Sequence, residues 1–172
     1  MTNSNSNIML QLMDIVEGTS VDGVGLRTSV YFAGCSHHCK GCHNPESWDI
    51  NNGKLYTIDA VMDIIKKNRH NVTLSGGDPF FQIDGALELC KQIKEQLGYT
   101  IWCYTGYRFE EVANCPEKSK ILPYIDVLVD GRFELDKRDT SLLFRGSSNQ
   151  RIIDVRASIG GGEPVVLDNF FQ

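Results

Sequence analysis

The sequence predicts an α/β fold, an open or partial barrel of β/α units around a largely parallel sheet. Three observations carry that expectation. Short apolar runs that read as strands alternate with helical patterns of 3.6-residue period, the arrangement of βαβ units. One run, Ser29-Val30-Tyr31-Phe32-Ala33, is nearly all apolar, as befits a central strand buried on both faces. The chain has 172 residues, enough for one domain but short of the roughly 250 residues of a closed eight-unit barrel.

Residues 1–7, Met-Thr-Asn-Ser-Asn-Ser-Asn, form a polar leader expected to be disordered. A single domain is expected over residues 8–158. Leu10 to Val16 and Thr28 to Ala33 read as strands, separated by the turn-rich stretch Glu17 to Gly25. The second strand runs directly into Gly34-Cys35. Thr57 is placed to cap a helix whose Ile58, Val61, Met62 and Ile65 fall on one face. Lys66, Lys67 and Arg69 close it, where positive side chains suit the carbonyl end of the dipole. Val72-Thr73-Leu74 gives a short strand ending in Ser75-Gly76-Gly77-Asp78-Pro79. A second helix aligns Ile83, Ala86, Leu87, Cys90, Ile93 and Leu97, with Gly98 as its stop. Then come a strand from Thr100 to Tyr104, a short helix after Arg108, a strand from Ile125 to Asp130 and a last strand from Arg151 to Val155. Residues 159–172, with Gly160-Gly161-Gly162 and Phe170-Phe171, read as a flexible tail with an apolar end. In a parallel sheet the chemistry gathers beyond the carboxyl ends of the strands. Here those ends carry Cys35, Gly76-Gly77-Asp78, Thr105-Gly106 and Asp130-Gly131.

Composition narrows the function. Hydrophobic residues make up 41% of the chain, enough to build a core and to exclude general disorder. Acidic residues number 22 against 17 basic, a net charge of −5. That balance disfavours a protein that coats nucleic acid or an anionic membrane. The first residues lack the basic and apolar regions of a secretory signal, and no apolar run approaches the ~18 residues of a membrane span. Six cysteines are too few for a disulfide scaffold. The expected compartment is a reducing cytoplasm, where clustered cysteines bind metal or do redox chemistry.

Three of the six stand together in Cys35-Ser36-His37-His38-Cys39-Lys40-Gly41-Cys42, a C-x3-C-x2-C run. Three thiolates on one short loop can converge on a metal centre. A structural zinc would take a fourth ligand from His37, His38 or His43. A 4Fe–4S cluster, ordinarily held by four cysteines, would here keep one iron open to a substrate atom. Structural thiols without metal are the third reading. Cys90 falls on an apolar helix face and Cys103 inside a strand, so neither reads as a ligand. Cys115, in a loop, is a weaker candidate.

The cysteine run resembles the signature of radical S-adenosylmethionine enzymes. Asp22-Gly23-Val24-Gly25-Leu26-Arg27 before it and Cys42-His43-Asn44-Pro45-Glu46-Ser47-Trp48-Asp49 after it are similar to the activating enzymes of glycyl radical enzymes. Leu74 to Pro79, Trp102 to Tyr107, Val127 to Gly131 and Phe144 to Gln150 resemble, within that group, the activases of anaerobic ribonucleoside-triphosphate reductases. The likeness runs from about residue 14 to 155. It departs at Gly41, where many such enzymes carry an aromatic residue, and at Val24, where one branch carries proline.

The resemblance implies a partial barrel of the radical S-adenosylmethionine type, with Cys35, Cys39 and Cys42 as cluster ligands and S-adenosylmethionine as the second cofactor. It implies cofactor contacts from Gly41, His43 and Asn44 beside the cysteines. Others are implied from Ser75, Gly76, Gly77 and Asp78 after the third strand, and from Tyr104, Thr105 and Asp130 on later ones. In that picture two glycines let the backbone approach the cofactor, and Asp78 accepts hydrogen bonds from its ammonium group. Asp22, Gly23 and Arg27 would face an incoming loop of the partner, an anaerobic ribonucleoside-triphosphate reductase. The electron donor expected from the family is a low-potential flavodoxin or ferredoxin. An activase of another glycyl radical enzyme, a small-molecule enzyme of the deazaguanine-forming kind, and a non-catalytic zinc or iron–sulfur module remain alternatives.

Overall fold

The computed structural model describes residues 8–169; the leader at 1–7 and the Phe170-Phe171 end lie outside them. Among the described residues the chain runs β1 (Met9–Thr19), β2 (Arg27–Phe32), β3 (Lys54–Thr57), α1 (Ile58–Asn68), β4 (Asn71–Gly76), α2 (Ile83–Leu97) and β5 (Ile101–Tyr104). It continues through α3 (Phe109–Ala113), β6 (Val127–Asp130), β7 (Arg151–Asp154), α4 (Val155–Gly161) and β8 (Val165–Val166), with 3₁₀ turns between several of them.

The strands form one mixed sheet in the order β3-β1-β2-β4-β5-β6-β7-β8. The expected apolar strand, β2, is interior, with Thr28, Ser29, Val30 and Phe32 buried. Parallel pairing is confined to the centre, β2–β4, β4–β5 and β5–β6. The outer pairs, β1–β2, β1–β3, β6–β7 and β7–β8, are antiparallel. The expectation of a largely parallel sheet is therefore corrected: most of its pairings are antiparallel. For β1–β2 the physical reason is connection length. A parallel pair needs a crossover of a dozen or more residues, usually helical, and residues 20–26 are too few to leave any choice but a hairpin. No pairing joins the edge strands β3 and β8 among the described residues, so the sheet does not close into a barrel.

Helix patterning translates directly. Thr57 Oγ1 accepts the Ala60 N–H at 3.0 Å, and Ile58, Val61, Met62 and Ile65 of α1 are buried. Arg69, at φ 58°, ends α1 in the left-handed conformation, and Gly98, at φ 66°, ends α2. The main core lies between these helices and one face of the sheet. A smaller cluster of Trp102, Val129 and Ile152, with Tyr104, Phe144 and Leu167 packed on it, lies apart from that core. Residues 155–161, where the sequence ends a strand at Val155 and starts a tail at 159, instead form α4, capped by Asp154, whose Oδ1 accepts the Ala157 N–H at 3.0 Å. Residues 165–166 then pair with β7. No helix among the described residues is long and apolar enough to cross a membrane.

The parallel register aligns Phe32 with Gly76, Leu74 with Cys103 and Tyr104 with Val129. The loops after β2, β4, β5 and β6 therefore leave from one edge of the sheet. That edge positions the site.

Candidate functional site

A cavity of about 520 Å³ opens at this edge, and Cys35, Cys39 and Cys42 all line it. Their loop is folded by its own backbone. Gly34, at φ 93°, turns the chain out of β2, its N–H donating to the Ser47 carbonyl at 2.7 Å. The Cys35 N–H donates to Trp48 at 3.1 Å, and the Cys42 N–H returns to Cys39 at 3.1 Å. All three thiols are free and partly buried. Burial, first among the causes, pushes the Cys35 and Cys39 thiols up, opposed at Cys35 chiefly by the backbone N–H of His37. Cys90 and Cys103 are wholly buried in the core, and burial drives both thiols up as well. Neither they nor Cys115 line the cavity.

The donor set suits a cluster better than a single ion. No three His, Cys, Asp or Glu side chains among the described residues converge on one metal ion. Of the histidines that could complete a zinc tetrahedron, His37 has its Nε2 committed, while His38 and His43 make ring contacts. His37 is paired with Asp78, His38 stacks on Trp48 at 4.6 Å, and His43 lies against Phe133 at 5.4 Å. Three thiols spaced around one cavity fit the wider reach of an iron–sulfur cluster.

His43, Asn44, Ser75, Gly76, Gly77, Tyr104 and Thr105 line the same cavity. Gly41 does not: at φ 77° it makes the turn before Cys42, and a Cβ there would stand 2.8 Å from Leu135. Gly76 and Gly77 are tightly enclosed, but by protein rather than by a ligand. A Cβ on Gly76 would lie 2.4 Å from the Phe32 nitrogen, and one on Gly77 2.4 Å from the Gly34 carbonyl oxygen. Their glycine character lets the loop after β4 dock on the loop after β2.

Two carboxylates depart from expectation. Asp78, 2% exposed, is not free to receive an ammonium group. Its Oδ1 accepts the Phe80 N–H at 2.8 Å, and its Oδ2 accepts His37 Nε2–H at 2.7 Å, the Thr105 hydroxyl at 2.9 Å and the Gly106 N–H at 3.0 Å. Asp130, 1% exposed, is turned away from the cavity. It accepts Arg151 Nε at 3.0 Å, Arg151 Nη2 at 2.5 Å and the Phe109 N–H at 2.7 Å, so it ties β7 and the start of α3 to β6. At that strand end it is Gly131 that lines the cavity.

The loop before β2 also divides. Asp22 lines the cavity, its Oδ2 accepting Ser29 Oγ at 2.9 Å and the Tyr31 hydroxyl. Burial first, and then Asp22, push the Tyr31 phenol up to about 12. Gly23, at φ 137°, packs where a Cβ would meet Trp102 at 2.8 Å. Arg27, expected to face a partner, is 2% exposed and lies beneath the loop. It donates to Thr73 Oγ1 at 2.8 Å and to the Val24, Val72 and Thr100 carbonyls at 3.0, 2.8 and 3.1 Å, with its guanidinium over the Trp102 ring. Val21, 69% exposed, Val24 and Leu26 are the apolar side chains this loop presents outward.

The opposite wall comes from Leu142, Phe144, Arg145, Gly146 and Gln150. The sequence singles out Phe144 to Gln150 as family-specific without assigning a role. Gln150 organises that stretch: its Oε1 accepts the N–H groups of Gly146 and Ser147 at 2.9 and 3.1 Å, and its Nε2 donates to Gly131 at 3.0 Å. The Gly-Ser-Ser-Asn turn composition just before a strand was the available signal, but no pattern of spacing says which cavity such a turn will line.

Comparison with known proteins identifies the family. The family described as "4Fe-4S single cluster domain" matches residues 21–153. A protein of Haemophilus influenzae is 37% identical over 141 residues, covering 77% of this chain and 90% of its own. One of Escherichia coli K12 is 36% identical over 145 residues, covering 79% and 93%. One of Enterobacteria phage T4 is 34% identical over 139 residues, covering 77% and 86%. All three are named anaerobic ribonucleoside-triphosphate reductase-activating protein.

Proposed function

Because the chain belongs to the family of anaerobic ribonucleoside-triphosphate reductase-activating proteins, we propose that it installs a glycyl radical on such a reductase as a radical S-adenosylmethionine enzyme. The observation that carries this reading is the meeting of Cys35, Cys39 and Cys42 with the Ser75-Gly76-Gly77 end of β4 on one cavity. A partial barrel of the radical S-adenosylmethionine type, open on one side, belongs to the same reading.

In this proposal Cys35, Cys39 and Cys42 would hold a 4Fe–4S cluster. When bound, the cluster and S-adenosylmethionine would supply the one-electron reductive chemistry that a glycyl radical requires. The chain's own residues bind, orient and exclude water. Ser75, Gly76 and Gly77 offer backbone to the methionyl end, while His43, Asn44, Tyr104 and Thr105 border the rest. Asp78 works one step back, by holding the loops that form the wall. Asp22 stands at the mouth with the exposed Val21 beside it, where a loop of the partner would enter. Arg27 and Gly23 shape that mouth from behind. The electron would come from a low-potential flavodoxin or ferredoxin, in the cytoplasm.

The test is direct. The anaerobically reconstituted, reduced protein is mixed with S-adenosylmethionine and an anaerobic ribonucleoside-triphosphate reductase. The expected result is a glycyl radical doublet by electron paramagnetic resonance that requires all three components. Cofactor cleavage without a radical on the reductase would redirect the assignment to another glycyl radical enzyme or a small molecule. A colourless zinc protein without iron or sulfide would overturn it.

A further inference from the structure

We propose that His37 is a positioning residue: through Asp78 it latches the cysteine loop onto the ends of β4 and β5, and so fixes where Cys35 and Cys39 stand on the cavity wall. The inference rests on the reading of these cysteines as cluster ligands.

His37 and Asp78 form a buried pair, 4% and 2% exposed. A carboxylate accepts only, so the proton of this bond sits on Nε2. Asp78 Oδ2 also takes the Thr105 hydroxyl and the Gly106 N–H, and Oδ1 takes the Phe80 N–H. One carboxylate thereby gathers three segments: the cysteine loop, the turn after β4 and the turn after β5. The ring is fixed from its other sides as well. Tyr107 meets it edge-on at 4.5 Å, and a Cβ on residue 106 would lie 2.4 Å from it, so only glycine there leaves the imidazole in place. The loop backbone is tied at Gly34 and Cys35 to the Ser47 and Trp48 carbonyls, and within its turn from Cys42 to Cys39. Between those two points His37 is the hydrogen-bonded tie, within two residues of both Cys35 and Cys39, with the His38–Trp48 stack beside it. Groups that orient metal ligands from behind typically matter about 10–100-fold in metal affinity, and a site is only as accurate as the contacts that hold it.

The test compares H37Q with H37L after anaerobic reconstitution. A glutamine amide nitrogen reaches nearly where Nε2 lies and can still donate to Asp78; leucine keeps bulk and donates nothing. Wild type and H37Q are expected to hold equal iron and sulfide and to release iron to a ferrous chelator at similar rates. H37L is expected to release it about 10–100-fold faster and to change the paramagnetic spectrum of the reduced cluster. If H37L does not fold, H37N, whose amide stops short of Asp78, takes its place. Wild-type rates and spectra in H37L would overturn the latch while leaving the cluster reading intact, and so would an H37Q no better than H37L. A wild-type protein that takes up no iron would overturn both.

Discussion

A sulfur at position 90 and a sulfur at position 35 differ in what surrounds them. Cys90 is enclosed by apolar side chains of the main core, and Cys35 lines an open cavity with two further thiols. Replacing Cys35, Cys39 or Cys42 by Ala is therefore expected to remove most of the iron bound after reconstitution and all cleavage of S-adenosylmethionine. Cys90→Ala should retain both and lose about 1 kcal/mol of stability, from one deleted buried atom. Iron and sulfide analysis beside urea denaturation checks the contrast, and full iron binding by any of the first three variants would strike that residue from the ligand set. Arg27 poses the opposite case of a charge held inside. Burial pulls its guanidinium down to about 10, opposed chiefly by the charge of Asp126, which leaves it protonated at neutral pH with five oxygens accepting from it. Lysine has one nitrogen where arginine has a planar fork. Arg27→Lys should therefore cost roughly 2–4 kcal/mol by leaving several acceptors unpaired, read as a lower urea midpoint. An unchanged midpoint would show those bonds to be dispensable.

Among the elements, α3 and β7 are joined to β6 by charge. Arg151 donates to Asp130 and, at 2.8 and 3.1 Å, to the carboxylate of Glu110. Its hydrogen bond with Arg151, the largest cause, holds the Glu110 carboxyl down at about 2, against an ordinary 4.5. A carboxylate depressed in the folded state contributes stability that is complete above its unfolded value and is lost as the pH falls through its folded one. The stability difference between wild type and Glu110→Gln should thus be constant above about pH 5 and shrink as the pH falls from about 4.5 toward 2. Glu110 is 46% exposed, so the difference should be small and should diminish with salt. A gap that widens toward acid would contradict the linkage. Which elements the sequence discloses follows from the same local physics. α1 is legible because a capping threonine and a 3.6-residue apolar stripe coincide, and β2 because both its faces are buried. β3, Lys-Leu-Tyr-Thr, is an exposed edge strand with no burial pattern to read. α4 hides behind a run of glycines of which only Gly162, at φ 76°, ends it. In the site, the cysteine spacing is legible because the ligands are adjacent in sequence. The roles of Asp78, Asp130 and Arg27 are not, because each depends on partners 21 to 73 residues away.

At the scale of the whole molecule, the cavity is an appendage to a core that does not need it. The buried side chains of α1, α2 and the central strands close around one another, and the three loop cysteines belong to neither apolar cluster. A chain of this size can bury enough surface to fold unaided, unlike small domains that depend on a metal. The sheet supports this division, since its parallel centre sends the loops after β2, β4, β5 and β6 to one edge while antiparallel flanks complete the sheet on either side. The metal-free protein is therefore expected to keep its secondary structure by far-ultraviolet circular dichroism and to melt cooperatively. Loading the cluster should raise the melting temperature, because a group that binds only the folded state stabilises it by mass action, about 2.7 kcal/mol at a hundredfold excess over its dissociation constant. For a chain of this length that corresponds to a rise of roughly 5–10 °C. Cys35→Ala should melt near the metal-free temperature whether or not iron and sulfide are supplied. A metal-free protein without a cooperative transition would mean that the cluster nucleates the fold, and the independence of core and cavity would have to be abandoned.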